Sequence, residues 1–269
     1  MAVAKLLSVA GSDPSGGAGV QADLKTFSAL RCYGMAAVTA LTAQNTTGVT
    51  RVMAVPPDMV AAQIDAIFAD IGVDAVKIGM LAEPAIAEAV ADSLRRANAR
   101  NIVLDPVLAA TKGVAVSDDE LPCAILRHLL PLVDLITPNL AEAAMLTGMA
   151  LARDVDDMAA QARALVESGA RAALVKGGHL DGEPVDALYA NGALTLLSGR
   201  RVATRHTHGT GCALASAITA KLARGIALNE AVAQAKTWLE QALAAGEALH
   251  LGAGAGPPNH FWELWRESE

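Results

Sequence analysis

The residues with the clearest chemical potential form the run Thr207-His208-Gly209-Thr210-Gly211-Cys212, at the start of a predicted helix over 211–224. Small residues at a helix start leave its first backbone N–H groups without partners and aimed at one point, which makes an anion-binding hole. A thiol at such a position is expected to have a lowered pKa, so Cys212 is a candidate base or thiolate. The alternative is a buried cysteine in a helix that happens to begin with glycines.

A second candidate is the run Lys176-Gly177-Gly178-His179, at the end of a predicted strand over 171–176. A lysine at the end of a buried strand is costly unless it meets an anion, and two glycines allow a phosphate chain to pass closely. The run therefore predicts a phosphate contact. An ordinary surface lysine is the alternative.

Two other predicted strands are followed by acidic and amide side chains. Asp105 ends one strand, and Asn139 and Glu142 begin the helix after another. Because residues three apart on a helix share a face, both of these side chains can address one crevice. Carboxylates together with several waters usually hold Mg²⁺ beside phosphates. The alternative is helix capping, with Asn139 as the N-cap and Glu142 three residues later.

Two further segments suit a small ring-shaped ligand. The opening loop, residues 11–19 (Gly-Ser-Asp-Pro-Ser-Gly-Gly-Ala-Gly), brings glycines to a helix start, where the backbone can approach a ligand closely. Gln44 closes the second predicted strand, and its amide offers a donor and an acceptor side by side, as the edge of an aminopyrimidine requires. The alternatives are a plain strand-to-helix turn and a solvated loop glutamine.

These side chains need a scaffold that brings distant segments together, and the hydrophobic pattern predicts one. Strands are predicted over 5–10, 36–43, 75–79, 101–105, 132–137 and 171–176, and helices over 20–30, 58–71, 84–99, 118–130, 140–147 and 155–168. The strands are apolar without clean alternation, which indicates burial on both faces and a mainly parallel sheet. Ligands bind beyond the carboxyl ends of the strands in such a sheet, where the candidate residues lie.

After residue 178 the pattern changes. Two short runs over 185–190 and 193–198 flank Asn191-Gly192, a pair typical of a tight β-hairpin turn. Long helices over 211–224 and 229–249 follow, and then a tail rich in glycine and proline over 252–258. The sequence has no internal repeat and no Ser- or Pro-rich linker, so we expect one domain over residues 1–269.

The composition excludes several classes of protein. With 53% hydrophobic and 18% charged residues the chain is not intrinsically disordered, and no apolar run reaches the ~18–20 residues of a spanning helix. The net charge of −7 and 3% aromatic residues argue against nucleic-acid binding. Three scattered cysteines without a CxxC pair predict neither a disulfide framework nor a zinc site. We therefore expect a cytoplasmic protein, and the apolar C-terminal tail predicts a homodimer.

Taken together, these motifs resemble those of the bacterial hydroxymethylpyrimidine/phosphomethylpyrimidine kinases, a branch of the ribokinase-like superfamily. The resemblance covers nearly the whole chain and is carried by the opening loop with Gln21-Ala22-Asp23-Leu24-Lys25-Thr26, the segment 39–46, Lys77-Ile78-Gly79-Met80-Leu81, Asp105-Pro106-Val107, Thr137-Pro138-Asn139-Leu140-Ala141-Glu142, Lys176-Gly177-Gly178-His179 and the run 207–212. It implies a ribokinase-like three-layer α/β/α sandwich with a mainly parallel central sheet and a small late β-hairpin.

The resemblance also implies an activity. Such an enzyme transfers the γ-phosphoryl group of ATP, with Mg²⁺, to the hydroxymethyl oxygen of 4-amino-5-hydroxymethyl-2-methylpyrimidine. It then phosphorylates the monophosphate to the pyrophosphate, in thiamine biosynthesis.

Carried over by position, the resemblance assigns three sets of residues. The substrate pocket receives Gln44, at the pyrimidine edge, and Gly11, Ala18, Asp23, Met80 and Val107. ATP receives Asp105, Asn139, Lys176, Thr207 and His208, and Mg²⁺ receives Glu142 and Asp105 through water. Catalysis is assigned to Lys176, to Gly209, Thr210 and Gly211 as the anion hole, and to Cys212 as base.

One departure from the wider superfamily concerns the base, because many ribokinase-like enzymes have Asp where this chain has Cys212. Phosphoryl transfer tolerates a weak base, since its loose transition state depends mainly on positioning and on charge neutralisation. Two alternative functions remain open at this point, a pyridoxal or pyridoxine kinase of the same superfamily and a non-catalytic pyrimidine-binding protein.

Overall fold

A nine-stranded sheet runs through the computed structural model, which describes residues 2–108, 117–178, 180 and 182–265. The strands are β1 (Lys5–Ser12), β2 (Tyr33–Asn45), β3 (Gly48–Ala54), β4 (Ala75–Ile78), β5 (Ile102–Leu104), β6 (Leu135–Ile136), β7 (Ala172–Val175), β8 (Val185–Ala190) and β9 (Ala193–Ser198). Their order is β3-β2-β1-β4-β5-β6-β7-β8-β9. Six neighbouring strands are parallel, namely β2, β1, β4, β5, β6 and β7. The strand β3 at one edge and the strands β8 and β9 at the other are antiparallel to their neighbours.

Eight α-helices lie on the two faces of the sheet. They are α1 (Gly19–Ala29), α2 (Pro57–Asp70), α3 (Pro84–Arg96), α4 (Leu121–Ala124), α5 (Leu140–Thr147), α6 (Val155–Glu167), α7 (Thr210–Ala223) and α8 (Leu228–Ala244), counted over the ranges given above. Residues of α1, α7 and α8 share one hydrophobic core, and residues of α2 to α6 share another. Consecutive strand residues such as Leu6 and Leu7 enter opposite cores, which confirms the predicted burial on both faces.

This topology explains how distant motifs meet. The carboxyl ends of the parallel strands β1, β4, β5, β6 and β7 lie at one edge of the sheet, so the segments that follow them gather there. Helix α7 contacts β1, β4 and β5, which brings its N-terminus to the same edge. The fold therefore brings the candidate segments to one edge of the sheet, as the sequence predicts.

The late hairpin forms as predicted. β8 and β9 pair from Val185↔Ser198 to Ala190↔Ala193, and the turn residues Asn191 and Gly192 have φ values of 51° and 77°. Positive φ at both central residues matches the right-handed twist of the flanking strands, and asparagine and glycine adopt it at low cost.

The predicted elements differ from the structure in several places. No strand is predicted between 36–43 and 75–79, but Gly48–Ala54 forms the antiparallel strand β3. The predicted strand over 132–137 is reduced to β6, Leu135–Ile136. The predicted helix over 118–130 is a single α-turn, α4, followed by a π-turn over Ile125–Leu129 and a 3-10 turn over Leu130–Leu132. The last long helix ends at Ala244, before a 3-10 turn over Gly246–Leu249. Among the described helices, none combines the length and the apolar character needed to cross a bilayer.

Candidate active site

The anion side of the site, defined as Asp105, Lys176 and residues 209–212, comes together as predicted. Asp105 follows β5 and Lys176 follows β7, and the Lys176 Nζ donates to Asp105 Oδ1 at 2.8 Å. A Cβ built on Gly211 would lie 3.2 Å from Lys176 Nζ and 3.3 Å from Asp105 Oδ2. The start of α7 therefore stands close to the lysine–carboxylate pair, and a side chain at position 211 would have to displace Lys176 or Asp105.

Burial and charge keep both members of this pair ionised. Burial alone would raise the pKa of Asp105, but the charges of Lys176 and Lys77 outweigh it and lower that pKa. Burial would lower the pKa of Lys176, but the neighbouring carboxylates of Asp105 and Glu142 raise it. Thr137 Oγ1 also donates to Asp105 Oδ1, at 3.2 Å, a contact that the sequence analysis did not assign. The result is a fixed ion pair beside the helix start, whose cationic member is Lys176.

The helix start has the form of an anion hole. Gly209, the N-cap of α7, has a φ of 74°, and a Cβ at that position would overlap the Gly17 carbonyl oxygen. Only glycine allows this approach between the helix start and the opening loop. No hydrogen bond within the described residues uses the backbone N–H groups of Gly211 or Cys212. These two donors are available to an anion.

Cys212 lies at this helix start, but its thiol does not behave as predicted. Burial raises its pKa to about 11, although the nearby Lys77 charge and the Gly19 N–H act in the opposite direction. The prediction of a lowered pKa is therefore wrong. The desolvation of the thiol outweighs the favourable position at the helix N-terminus, and Cys212 is protonated at neutral pH.

Asn139 and Glu142 adopt the capping arrangement that remained open as an alternative. The Glu142 N–H donates to Asn139 Oδ1 at 2.9 Å, and the Asn139 N–H donates to Glu142 Oε2 at 2.8 Å. Burial raises the pKa of Glu142 to about 7, and the charge of Lys176 opposes that shift. The capping box leaves the Asn139 amide nitrogen available, while the Leu108 N–H also hydrogen-bonds to the Glu142 carboxylate. It fixes a buried carboxylate that interacts with the charges of Lys176 and Asp105.

The opening loop folds around Asp13, whose carboxylate was not assigned a role from the sequence. It accepts backbone N–H groups from Ser15, Gly17 and Ala18, and these bonds, with His208, lower its pKa even though burial alone would raise it. His208 Nε2 lies 3.0 Å from Asp13 Oδ2. This contact joins the opening loop to the run that precedes α7, and the assignment of His208 to ATP stays a prediction.

The opening-loop side of the site comprises Gly11, Ala18, Gln44, Met80 and Val107. A Cβ on Gly11 would lie 3.0 Å from the Met80 sulfur, so these two residues adjoin. Ala18 lies against Gly209, and Val107 follows Asp105 by two residues and is half-buried. Ala18 and Val107 therefore adjoin the anion side.

Gln44 stands near the end of β2, where the strand projects beyond its parallel neighbours. Thr42, two residues earlier and on the same face, donates its hydroxyl to the Ser12 carbonyl oxygen at 2.9 Å, which ties this end of β2 to the opening loop. The Gln44 side chain is half-buried, and within the described residues its amide forms no hydrogen bond. A donor and an acceptor are thus left for a ligand.

Asp23 and Thr207, two of the predicted site residues, differ in their exposure. Asp23, expected in the substrate pocket, is fully buried, and its carboxylate accepts from Ser8, Lys77 and Ser216. The prediction that Asp23 lines the pocket is therefore wrong, since protein partners occupy the carboxylate. Thr207 is exposed, and its carbonyl oxygen accepts from the Thr210 hydroxyl at 2.7 Å, which shapes the turn before α7. His179 lies outside the described residues.

The comparisons with known proteins agree on one family. The family model described as phosphomethylpyrimidine kinase matches residues 13–259. A relative from Rhizobium meliloti, named hydroxymethylpyrimidine/phosphomethylpyrimidine kinase, is 51% identical over 262 residues, which cover 97% of this chain and 98% of the relative.

Solved structures agree with the fold. A phosphomethylpyrimidine kinase from Clostridium difficile superposes with a TM-score of 0.78 at 41% identity, covering 88% of this chain and 97% of the other. An ADP complex of Bacillus subtilis pyridoxal kinase superposes with a TM-score of 0.88 at 36% identity, covering 98% and 99%. The expected ribokinase-like α/β/α architecture with a mainly parallel sheet is confirmed.

Proposed function

The chain belongs to the phosphomethylpyrimidine kinase family, and from that premise we propose how its site performs two successive phosphorylations. It transfers the γ-phosphoryl group of ATP to the hydroxymethyl oxygen of 4-amino-5-hydroxymethyl-2-methylpyrimidine. It then phosphorylates the monophosphate to the pyrophosphate, in thiamine biosynthesis. The similarity of the chain to kinases of this name over nearly its full length supports this function over a non-catalytic pyrimidine-binding role.

The observation that carries the proposal is the convergence of the anion side. Lys176 Nζ lies 2.8 Å from Asp105 Oδ1 and 3.2 Å from the position that a Cβ on Gly211 would occupy. The backbone N–H groups of Gly211 and Cys212, beside it, have no partner within the described residues. Preorganised donors and a buried cation stabilise the charge that spreads over a transferring phosphoryl group. The Gly211 and Cys212 N–H groups, with Lys176, hold the γ-phosphoryl, and Thr210 and Gly209 shape the turn that presents them.

Mg²⁺ fits the acidic residues of this region. Glu142 and Asp105 are both buried carboxylates that share Lys176 as a neighbour, and hard oxygen ligands of this kind suit Mg²⁺ beside phosphates. Within the described residues no three or more His, Cys, Asp or Glu side chains cluster as a metal site, and Glu142 and Asp105 would hold the ion together with water and phosphate oxygens. When bound, Mg²⁺ neutralises charge on the phosphates of ATP. Asn139 offers its amide nitrogen to the nucleotide.

We assign Cys212 to the hydroxyl that is phosphorylated, where only its thiolate could accept the hydroxyl proton. Because burial raises the pKa of the thiol to about 11, the thiolate is a small fraction at neutral pH and grows about tenfold per pH unit. The proposal therefore assigns the larger part of the rate to the anion side and a pH-dependent part to Cys212.

The opening-loop side holds the heterocycle. Gln44 presents a donor and an acceptor to the amino group and ring nitrogen of the pyrimidine. Gly11, Ala18, Met80 and Val107 supply the surrounding contact surface. Hydrophobic contact with a few placed polar groups is the usual composition of a small-molecule pocket.

Pyridoxal is a second candidate substrate, favoured by the similarity to solved pyridoxal kinases at 34–36% identity. Pyridoxal and the hydroxymethylpyrimidine are both flat nitrogen heterocycles with a hydroxymethyl group. The two candidates are therefore best compared in one assay.

The deciding experiment incubates the protein with Mg-ATP and a panel of hydroxymethyl heterocycles and follows the product masses. We expect the hydroxymethylpyrimidine to gain one and then two phosphoryl groups. A single addition to pyridoxal without reaction of the pyrimidine would overturn the substrate assignment, and ATP without any phosphorylated product would overturn the kinase mechanism.

The remaining parts of the proposal concern the organisation of the protein. We assign residues 1–269 to one domain, which works as a homodimer in the cytoplasm. The exposed side chains of Leu264 and Trp265 near the C-terminus support the dimer. Sedimentation is expected to give twice the chain mass, and monomer alone at working concentration would exclude the dimer.

A further inference from the structure

Close to the anion side, three polar side chains from three elements meet around a carboxylate on a fourth. Asp23 on α1 accepts the Ser8 hydroxyl of β1 at 2.6 Å, the Lys77 ammonium of β4 at 2.9 Å and the Ser216 hydroxyl of α7 at 2.7 Å. All four residues have 0% exposure. We refer to Ser8, Asp23, Lys77 and Ser216 as the Asp23 cluster.

The cluster is placed where it controls the position of α7. Ser216 stands four residues after Cys212, so both lie on the same face of the helix, one turn apart. The ammonium of Lys77 has room because Gly79 follows it; a Cβ there would lie 2.7 Å from Lys77 Nζ. The cluster thus connects the first turns of α7 to two central strands and to α1.

The positive charge of Lys77 also acts on residues of the anion side. Burial would lower the pKa of Lys77, but the Asp23 carboxylate outweighs burial and raises it, so the residue is charged. Its charge acts on Cys212 and Asp105 as well as on Asp23. A second buried cation therefore stands behind Lys176.

Stability does not explain such an arrangement. Taking both charges out of water offsets most of their attraction, and well-packed apolar side chains of similar volume are often as stable as a buried ion pair. A cluster that spans four elements instead fixes their relative position. Displacement of a reacting group by about 1 Å can cost about 10²-fold in rate, so the position of the α7 start matters to the proposed reaction.

We propose that Asp23, Lys77 and Ser216 are positioning residues that hold the start of α7 in register with the sheet, so that its free N–H groups and Lys176 address one phosphoryl group. The inference rests on the proposed kinase function. It predicts that loss of the cluster lowers kcat while the KM for ATP changes little, because the nucleotide still binds but its γ-phosphoryl is misaligned.

The first test compares two single variants of α7. Ser216→Ala removes the hydroxyl that reaches Asp23, and Thr219→Val removes an equally buried hydroxyl that bonds only the Ala215 carbonyl oxygen of its own helix. We expect kcat to fall about tenfold or more in Ser216→Ala and to stay within about twofold in Thr219→Val, with similar melting temperatures. Equal kcat values in the two variants would overturn the proposal. Should Ser216→Ala fail to fold, Ser216→Cys keeps the volume and carries the same expectation.

The second test removes both charges together, so that no buried charge is left alone. Lys77→Met with Asp23→Asn is expected to lower kcat by about tenfold, and adding Ser216→Ala to this double variant is expected to lower kcat by less than about twofold more. The effects on kcat of substitutions at residues that act together are not additive in free energy. Substitutions that remove independent contacts would instead multiply their effects on kcat. Full multiplicativity of the two changes would overturn the proposal, while absence of kinase activity in the wild-type protein would instead overturn the proposed function.

Discussion

The anion side and the opening-loop side adjoin at the contact of Gly209 with Ala18 but are built in opposite ways. On the anion side, Asp105 is 3% exposed and paired with Lys176, and the helix start is packed against both. On the opening-loop side, Gln44 is half-buried with a free amide, and Met80 contributes a flexible thioether. One half is charged and fixed; the other is neutral and adaptable.

This contrast follows from what each half must do. A transferring phosphoryl group carries the same charge whatever the acceptor, so its binding groups are best fixed in advance by burial and ion pairing. A heterocycle is recognised by shape and a few hydrogen bonds, which tolerate partial exposure. Changes on the anion side are therefore expected to lower kcat, and changes on the opening-loop side to raise KM.

Replacing Lys176 gives the largest expected effect on this contrast. Lys176→Met removes the cation at the γ-phosphoryl position, and we expect kcat to fall about 10³-fold, since one lost charge-stabilising group in a buried site costs about 10²–10³-fold. Steady-state kinetics measures the change, with the melting temperature recorded because Asp105 loses its partner. Lys221→Met, in the last turn of α7, serves as the control and is expected to leave kcat within about twofold. A fall of less than tenfold in Lys176→Met would remove the lysine from the reacting centre.

Cys212 tests whether the anion side also supplies a base. Cys212→Ala is expected to lower turnover by about 10²-fold at unchanged ATP affinity, since a lost general base costs about 10²–10⁴-fold. With a thiol pKa of about 11, wild-type kcat is expected to rise with pH above 7, because deprotonation creates the active thiolate. Cys212→Ala removes this rise, and Cys123→Ala, an exposed cysteine, retains it. A wild-type profile that is flat from pH 7 to 10 would contradict the base assignment.

The sequence predicts the parts of the site that depend on topology. Because parallel strands end at a common edge, residues that follow β5 and β7 meet whatever lies between them, and Asp105 and Lys176 do so from 71 positions apart. The Asn139–Glu142 capping box is local and is readable from its spacing, although the sequence left open whether capping or metal binding explains it. Asn191-Gly192 likewise specifies its turn by local backbone preference.

The sequence does not predict properties that depend on burial by remote segments. The sign of the Cys212 pKa shift is set by desolvation, which a helix-start motif does not report. The resemblance assigns Asp23 to the substrate pocket. In the structure its partners Ser8, Lys77 and Ser216, which lie 15, 54 and 193 positions away in the chain, enclose it. Only packing decides between a pocket carboxylate and a buried one.

A substitution of Gln44 tests the opening-loop side of the site. Gln44→Leu is expected to weaken hydroxymethylpyrimidine binding about tenfold, equivalent to about 1.4 kcal/mol for a lost hydrogen-bonding edge, and to leave nucleotide binding unchanged. Calorimetric titration with each ligand separates the two. Gln234→Leu, on α8 and hydrogen-bonded to Glu230, is the matched control and is expected to change neither affinity. Equal weakening of nucleotide and pyrimidine by Gln44→Leu would show that the two halves are not separate.

The substitution of Glu142 has the smallest expected effect, which is a change in the pH dependence of Mg-ADP binding on the anion side. Burial raises the pKa of Glu142 to about 7, so the carboxylate is mostly neutral at pH 6 and mostly ionised at pH 8. Because only the ionised form attracts a cation, the affinity for Mg-ADP is expected to increase by somewhat less than tenfold between these pH values, measured against ADP alone. Glu142→Gln keeps the amide-oxygen cap for the Asn139 N–H but removes the titrating group, and is expected to abolish the increase. An increase that persists in Glu142→Gln would place the titrating group elsewhere, whereas the pyrimidine affinity, which depends on the neutral half of the site, is expected to stay constant over the same range.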